Sequence, residues 1–304
     1  MDAASVFYTA ASMFNPNTKL IDAFVAHTVS EFLRLFPEPA SHQTQSLEQA
    51  VRTAMETLLN CDCPYHDVQH TMLVTDVGQT ILQGRQLARG DLTAHDWLQA
   101  VVAMLFHDIG YLKNLLPEDA PDSCLADENG ARVTPPPGST DAYMTPYHVT
   151  RGILFVTNRF ANDAAIDTAL VSEYIEMTRF PVPTARRYQE TDSLAALVRA
   201  ADLIGQMADP QYLQKLSRLF AEFVETGEAA RLGFNNAGSL REGFPEFFYN
   251  QVHPYIGAGI EYLKRTQEGH QWIANLYHHL HVNQTHQELD PKVRAPELVV
   301  DNRF

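Results

Sequence analysis

Three cysteines in 304 residues, Cys61, Cys63 and Cys124, are too few for a disulfide framework and an odd number for complete pairing. Cys61 and Cys63 are separated by one residue, not the two of a Cys-x-x-Cys zinc or redox site. Reduced, partly buried thiols follow, and with them a cytoplasmic setting. Basic residues are also scarce: 22 Lys and Arg against 37 Asp and Glu leave a net charge of −15. That balance excludes broad binding to a nucleic-acid duplex, which needs Lys and Arg to neutralise phosphates. A small phosphate ester held by a metal and a few cations is not excluded. No apolar run approaches the ~18–20 residues of a membrane span, and the N-terminal MDAASVFYTAASMF lacks the basic start and apolar core of a signal peptide. Alternating Val/Ile segments between turns, the mark of a sheet, are scarce too.

What remains is helical periodicity. The pattern predicts helices over Leu20–Phe36, Leu47–Leu59, about His66–Leu87, His95–His107, Tyr147–Phe160, Asp163–Thr178, Asp192–Met207 and Pro210–Glu225. One or two more are expected within Glu246–Leu280. Gly233–Gly243 reads as a loop, and the polar end from His281 as a loose tail. From Gly110 to Pro146 the pattern stops amid prolines and acidic residues. Loops above ~12–15 residues are usually functional or disordered, so this one reads as a lid over a site or as a surface insertion. Hydrophobic content of 45% and charged content of 19% fit one folded all-α domain over 1–304, with no repeat or long linker.

Four ligand-type residues fall on otherwise apolar helical faces. His70 precedes the stripe Leu73, Val74, Val77 and Ile81. His107 shares a face with Ala100, Ala103 and Met104, and Asp108 follows at the helix end, where departure from helical geometry turns consecutive side chains toward one ion. Asp202 shares its face with Leu194 and Val198. Taken alone, Asp202 reads as half of a salt bridge, with Arg199 three residues earlier as partner, and His70 as a satisfied core histidine. Three separate helices presenting such residues inward point instead to a metal ion, because a stranded buried charge is costly. Two imidazoles and two carboxylates suit Fe, Mn, Zn or Ni better than the all-oxygen shells of Ca or Mg. His66, four residues before His70, is either a capping histidine or a general acid beside the metal.

The order His, His-Asp, Asp on successive helices resembles the HD-domain superfamily of metal-dependent phosphohydrolases over roughly residues 60–215. YHDVQHTMLV is similar to the YHNxxHAxDV signature of class I cyclic-nucleotide phosphodiesterases, and HDIG matches bacterial members. The resemblance implies an HD-type helical bundle with helical extensions, continuing over about 216–285 with a loose tail at 286–304. It implies His70, His107, Asp108 and Asp202 as ligands of a first divalent ion, with Mg added to the candidate metals, and Asp108 shared with a second. It also implies a metal-bridging hydroxide as nucleophile, His66 as proton donor to the leaving group, and a nucleotide or other small phosphate ester as substrate. A homodimer and the metal's identity are left open. Departures are Asp67 for the family's Asn, Leu73 for its Asp, and Tyr111 where bacterial members carry Lys. Lys113 is a candidate phosphate contact, Arg151 either another or an ordinary surface charge, and His148, in HVTRG, either a ligand of the second metal or a plain histidine at a helix start after Pro146. Glu176 ranks below His148.

Other features carry blander expectations. His278, His279, His281 and His286 read as a solvated polar face, Arg186-Arg187 as surface charge, and FPEFFY at 244–249 as packing or a base-stacking wall. Two competing functions remain: a di-iron oxygenase on the same scaffold, and a metal-holding sensor or binding module without catalysis.

Overall fold

Asn15 starts the first helix, its side chain accepting from Asn17 N at 3.0 Å, with Pro16 in the first helical position where its missing N–H costs nothing. The computed structural model describes residues 14–289, and side chains to 283. Its helices are α1 Pro16–Leu35, α2 Ser41–Leu58, α3 Val68–Arg89, α4 Ala94–Phe106, α5 His148–Arg159, α6 Thr168–Glu176, α7 Leu194–Met207 and α8 Tyr212–Thr226. Short helices α9 Glu228–Arg231, α10 Ala237–Glu242 and α11 Phe244–Phe247 follow, then α12 His253–Leu263 and α13 Gln267–Leu289. The fold is all-α. Among the described residues the only sheet is a two-stranded antiparallel pair, β1 Cys124–Leu125 with β2 Arg132–Val133. No described helix is long and apolar enough to cross a membrane, and all three cysteines are free.

Helix α4 is the centre. Every residue from Trp97 to Phe106 is buried, as expected of a helix apolar on all sides. Around it pack α2, α3, α6 and α7, and buried residues from Ile21 to Leu280 form one hydrophobic cluster. Helix α3 is held close to both of its ligand-bearing neighbours. A Cβ at Gly78 would lie 2.0 Å from Met104 Sδ on α4, and one at Gly205 of α7 would lie 2.9 Å from Val74 Cα. These small residues let the three backbones approach, and so bring their ligand-bearing ends together.

Two expectations about irregular structure need correction. Within Gly233–Gly243, residues 237–242 are helical: Asn236 caps α10 by accepting from Ser239 N at 2.9 Å, so an asparagine read as a loop marker is an N-cap. The chain after His281 is not a loose tail up to Leu289, because α13 continues. Buried Leu276, Leu280 and Asn283 hold it, the last accepting from Arg241 Nε at 2.9 Å. Residues 290–304 lie outside the described residues.

The 110–146 segment is a packed strap, clamped from beneath by Arg151 of α5. Arg151 is fully buried. Its Nε donates to Gly110 O at 2.9 Å, Nη2 to Leu112 O at 2.6 Å and Asp119 Oδ2 at 2.9 Å, and Nη1 to Asp119 Oδ1 at 3.1 Å and to Leu125 O. With all its donors spent on the strap, Arg151 has none for a substrate phosphate. The expectation that it contacts phosphate is corrected.

Candidate metal centre

Asp67 caps α3, its Oδ1 accepting from Gln69 N at 2.9 Å and His70 N at 3.0 Å. N-capping is a task that Asp and Asn perform about equally well. The cap fixes His70 in the first turn, facing α4 and α7. At the end of α4, His107 keeps helical dihedrals (φ −57°, ψ −37°) while Asp108 leaves them (φ −103°, ψ 1°), which turns both side chains to one place. Asp202, on α7, completes the group from the opposite side.

The four side chains converge. His70 Nε2 lies 3.3 Å from Asp108 Oδ2 and 3.4 Å from Asp202 Oδ1. His107 Nε2 lies 3.1 Å and 3.5 Å from the same two oxygens. Metal–ligand bonds of about 2.1 Å give ligand–ligand edges of about 3.0 Å in an octahedron and about 3.4 Å in a tetrahedron. The separations match that scale. His70 Nε2, His107 Nε2 and Asp108 Oδ2 are buried and make no well-formed hydrogen bond, so each carries an unsatisfied lone pair or proton. Because a carbonyl can only accept, His107 Nδ1 must donate to Met104 O at 2.8 Å, leaving Nε2 as the ligating nitrogen. The residues fit a metal ion. Two overlapping sets of donor atoms, His70, His107 and Asp202, and His66, His70 and Asp108, are each close enough to share one.

Electrostatics tell the same story. Burial alone would lower the His70 and His107 pKa values, but the Asp108 and Asp202 carboxylates outweigh it, and both imidazoles are raised. Burial opposes ionisation of the two carboxylates as well, yet the neighbouring imidazoles, His107 foremost, hold both below the usual range. Without a metal, protons supply the positive charge this carboxylate pair demands.

Arg199 does not pair with Asp202, and the salt-bridge reading of Asp202 is corrected. Arg199 Nη1 donates to Tyr188 O at 2.5 Å and Nη2 to Glu190 O at 2.6 Å, with the guanidinium 4.5 Å from the Tyr255 ring. Asp202 is left to the two histidines.

His66 stands beside the group, its ring 5.4 Å from that of His70. Its partner is Glu222, which the sequence reading missed. Glu222 Oε2 lies 2.6 Å from His66 Nδ1, while Oε1 accepts from Tyr65 N at 2.6 Å and His66 N at 3.1 Å. The signal was present: Glu222 falls on the α8 face that carries Tyr212, Leu216 and Leu219, as Asp202 does on α7. Burial disfavours the imidazolium, but the Glu222 charge and hydrogen bond prevail and raise His66 to about 9. Glu222 itself is lowered: His66 and the two backbone N–H groups overcome its burial.

His148 comes to the other side of Asp108. Its Nδ1 donates to Thr145 O at 2.6 Å, and Nε2 lies 3.7 Å from Asp108 Oδ1. Burial lowers its pKa, so a neutral imidazole faces the carboxylate oxygen not shared with His70 and His107. Tyr111 lies between His148 and His66, stacked on both.

Other candidates fall elsewhere. Lys113 lines a cleft of about 530 Å³ with Thr53, Glu56, Asp141 and Arg159, which none of the four ligands lines; its Nζ donates to Ser139 O at 2.5 Å. Glu176 is bound by Arg179 Nε and Tyr188 Oη, each at 2.6 Å. His279 is not part of a solvated face: it is buried, and its Nδ1 donates to Met207 O at 2.8 Å. In the aromatic run, Phe244 and Phe248 are buried and Tyr249 is exposed. The side chain of His286 lies outside the described residues.

The Npun_R2479-like family matches residues 14–286, a span that contains every residue of this centre. The chain belongs to that family. No curated protein and no solved structure matches it.

Proposed function

We propose that the protein is a metal-dependent phosphohydrolase of the HD type, acting on a nucleotide or another small phosphate ester. The observation that carries this reading is the pairing of a buried two-His, two-Asp group with a histidine beside it, His66, whose Nδ1 lies 2.6 Å from the buried Glu222 carboxylate. A metal holder needs the first alone; a histidine held ready beside the group adds a proton donor for a leaving oxygen. His70, His107, Asp108 and Asp202 would hold a divalent ion, and His148 together with Asp108 would contribute to holding a second. A divalent ion there supplies Lewis-acid polarisation of phosphoryl oxygens and lowers the pKa of water.

The chain's own residues do the rest. Asp108 presents one oxygen to His70 and His107 and the other toward His148, the disposition that lets a carboxylate span two sites. Glu222 favours the protonated form of His66 and engages Nδ1, so that the other ring nitrogen would be free to deliver a proton to a leaving oxygen. Burial of the donors limits solvent around them and strengthens these interactions.

Elemental analysis of the purified protein, with a screen of phosphomonoesters, bis(p-nitrophenyl) phosphate, cyclic nucleotides and dinucleotides, tests the proposal. Metal-dependent release of phosphate or phosphomonoester, abolished by Asp108→Ala, is expected. A metal-loaded protein that cleaves no phosphoester would contradict it.

A further inference from the structure

Tyr111 is the residue at which this chain departs from the Lys that follows HDIG in bacterial HD proteins, and it is 3% exposed. Its ring is gripped on both faces. The His66 imidazole lies 4.8 Å away at 15° between planes, and the His148 imidazole 4.4 Å away at 16°. These are stacking distances and near-parallel planes. The far plate is anchored, since His148 donates Nδ1–H to Thr145 O. The middle plate is anchored by backbone: a Cβ at Gly110 would lie 1.9 Å from His148 O, so the turn carrying Tyr111 rests directly on the start of α5. His66 is different, because it precedes α3 and is held by Glu222 at one nitrogen. The covalent link at Cγ and the hydrogen bond at Nδ1 fix one edge of the ring, and Tyr65 meets it edge-on at 5.1 Å; the flat face of Tyr111 sets the tilt of the opposite, Nε2 edge.

We propose that Tyr111 is a positioning residue that orients the His66 ring for proton delivery to the leaving group, an inference that rests on the phosphohydrolase reading above. Tyr111→Phe keeps both stacked faces. Tyr111→Leu fills the space without a flat surface and leaves the tilt of the His66 ring unset. Proton delivery is worth about 10²–10⁴-fold for a leaving group that needs it, and little for p-nitrophenolate, which departs readily as an anion.

The test compares wild type, Y111F and Y111L on bis(p-nitrophenyl) phosphate and diphenyl phosphate, with metal content measured in each. Y111L is expected to lose less than about 3-fold on the first ester and at least about 30-fold on the second, with metal content unchanged. Y111F should stay within about 2-fold on both. Equal losses of Y111L on the two esters would overturn the positioning role, since a merely structural defect does not discriminate between leaving groups. A wild-type protein inactive on both would overturn the phosphohydrolase reading and the role built on it. In metal-free protein, imidazole 1H–15N spectra give an activity-independent readout: one sharp His66 signal set in wild type and Y111F, and a broadened or multiple set in Y111L. An unchanged His66 spectrum in Y111L would likewise overturn the inference.

Discussion

Replacing Glu222 with Gln isolates what that carboxylate does for His66. Gln is nearly isosteric, and its carbonyl can still accept from Tyr65 N and His66 N, as Glu222 Oε1 does. Its amide then faces His66 Nδ1 as a donor, which favours a neutral imidazole with the proton on Nε2. The two largest contributions that raise His66 to about 9, the charge and hydrogen bond of Glu222, are both removed. In the metal-free protein burial, the largest influence on His66, is then opposed only by the weaker Asp108 and Asp202 charges, so His66 should fall to about 6.5 or lower. A change of about 2.5 pH units is on the order of 3 kcal/mol. In the metal-free protein the protonated fraction at pH 8 drops from about 0.9 to about 0.03, approximately thirty-fold, and at pH 6 by less than about 2-fold; a bound ion offsets Asp108 and Asp202 in both proteins, so the rate defect of the loaded enzyme has the same sign, larger at pH 8 than at pH 6. The sign follows from a pKa raised on folding: the His66–Glu222 pairing is complete below the ordinary imidazole range and is lost as pH rises through about 9. The assay is kcat/KM against pH on diphenyl phosphate, with an imidazole NMR titration alongside. A defect equal at pH 6 and pH 8, or an unmoved His66 titration, would refute the reasoning.

Three more outcomes follow from the same geometry. Arg151→Met should destabilise the protein by about 3–5 kcal/mol, because it strands buried Asp119 and several strap carbonyls; denaturant unfolding measures this, and a raised KM with unchanged stability would restore Arg151 as a phosphate contact. Gly110→Ala should push the strap off the start of α5 and markedly lower the melting temperature, since its Cβ has no space against His148 O; a wild-type melting curve would contradict this. Metal uptake should release protons, because the metal-free imidazoles of His70 and His107 are held above their usual pKa. Affinity should therefore rise with pH, and calorimetry in buffers of different ionisation enthalpy counts the protons; a count of zero argues against these imidazoles as ligands.

The helical fold and the four convergent residues were legible because their signals are local. Periodicity places the long helices through α8, and a charged residue at an apolar position can mark itself, as Asp202 does. Asp202 could be placed on an inward face from Leu194 and Val198 alone, but its partner could not, since a neighbour three residues away is a poor guide when Arg199 is drawn off by two carbonyls on the 188–190 turn. Glu222 escaped because it joins His66 across 156 residues, and nothing near His66 in sequence calls for it. Arg151 misled for the opposite reason: a guanidinium near candidate ligands suits a phosphate as well as it suits backbone carbonyls, and only burial decides. Helix α10 and the end of α13 were lost to composition, since Asn236 and Asn283 are polar residues used as a cap and a buried partner.

The central claim is that His70, His107, Asp108 and Asp202 together bind a catalytic metal. Metal stoichiometry of the wild-type protein and of its Asp108→Ala and Asp202→Ala variants, each confirmed folded by circular dichroism, tests it most directly. One or two divalent ions per chain in the wild type, lost in both variants together with phosphoesterase activity, is the predicted result. Full metal content in either folded variant, or a wild-type protein that takes up no divalent ion, would contradict the account.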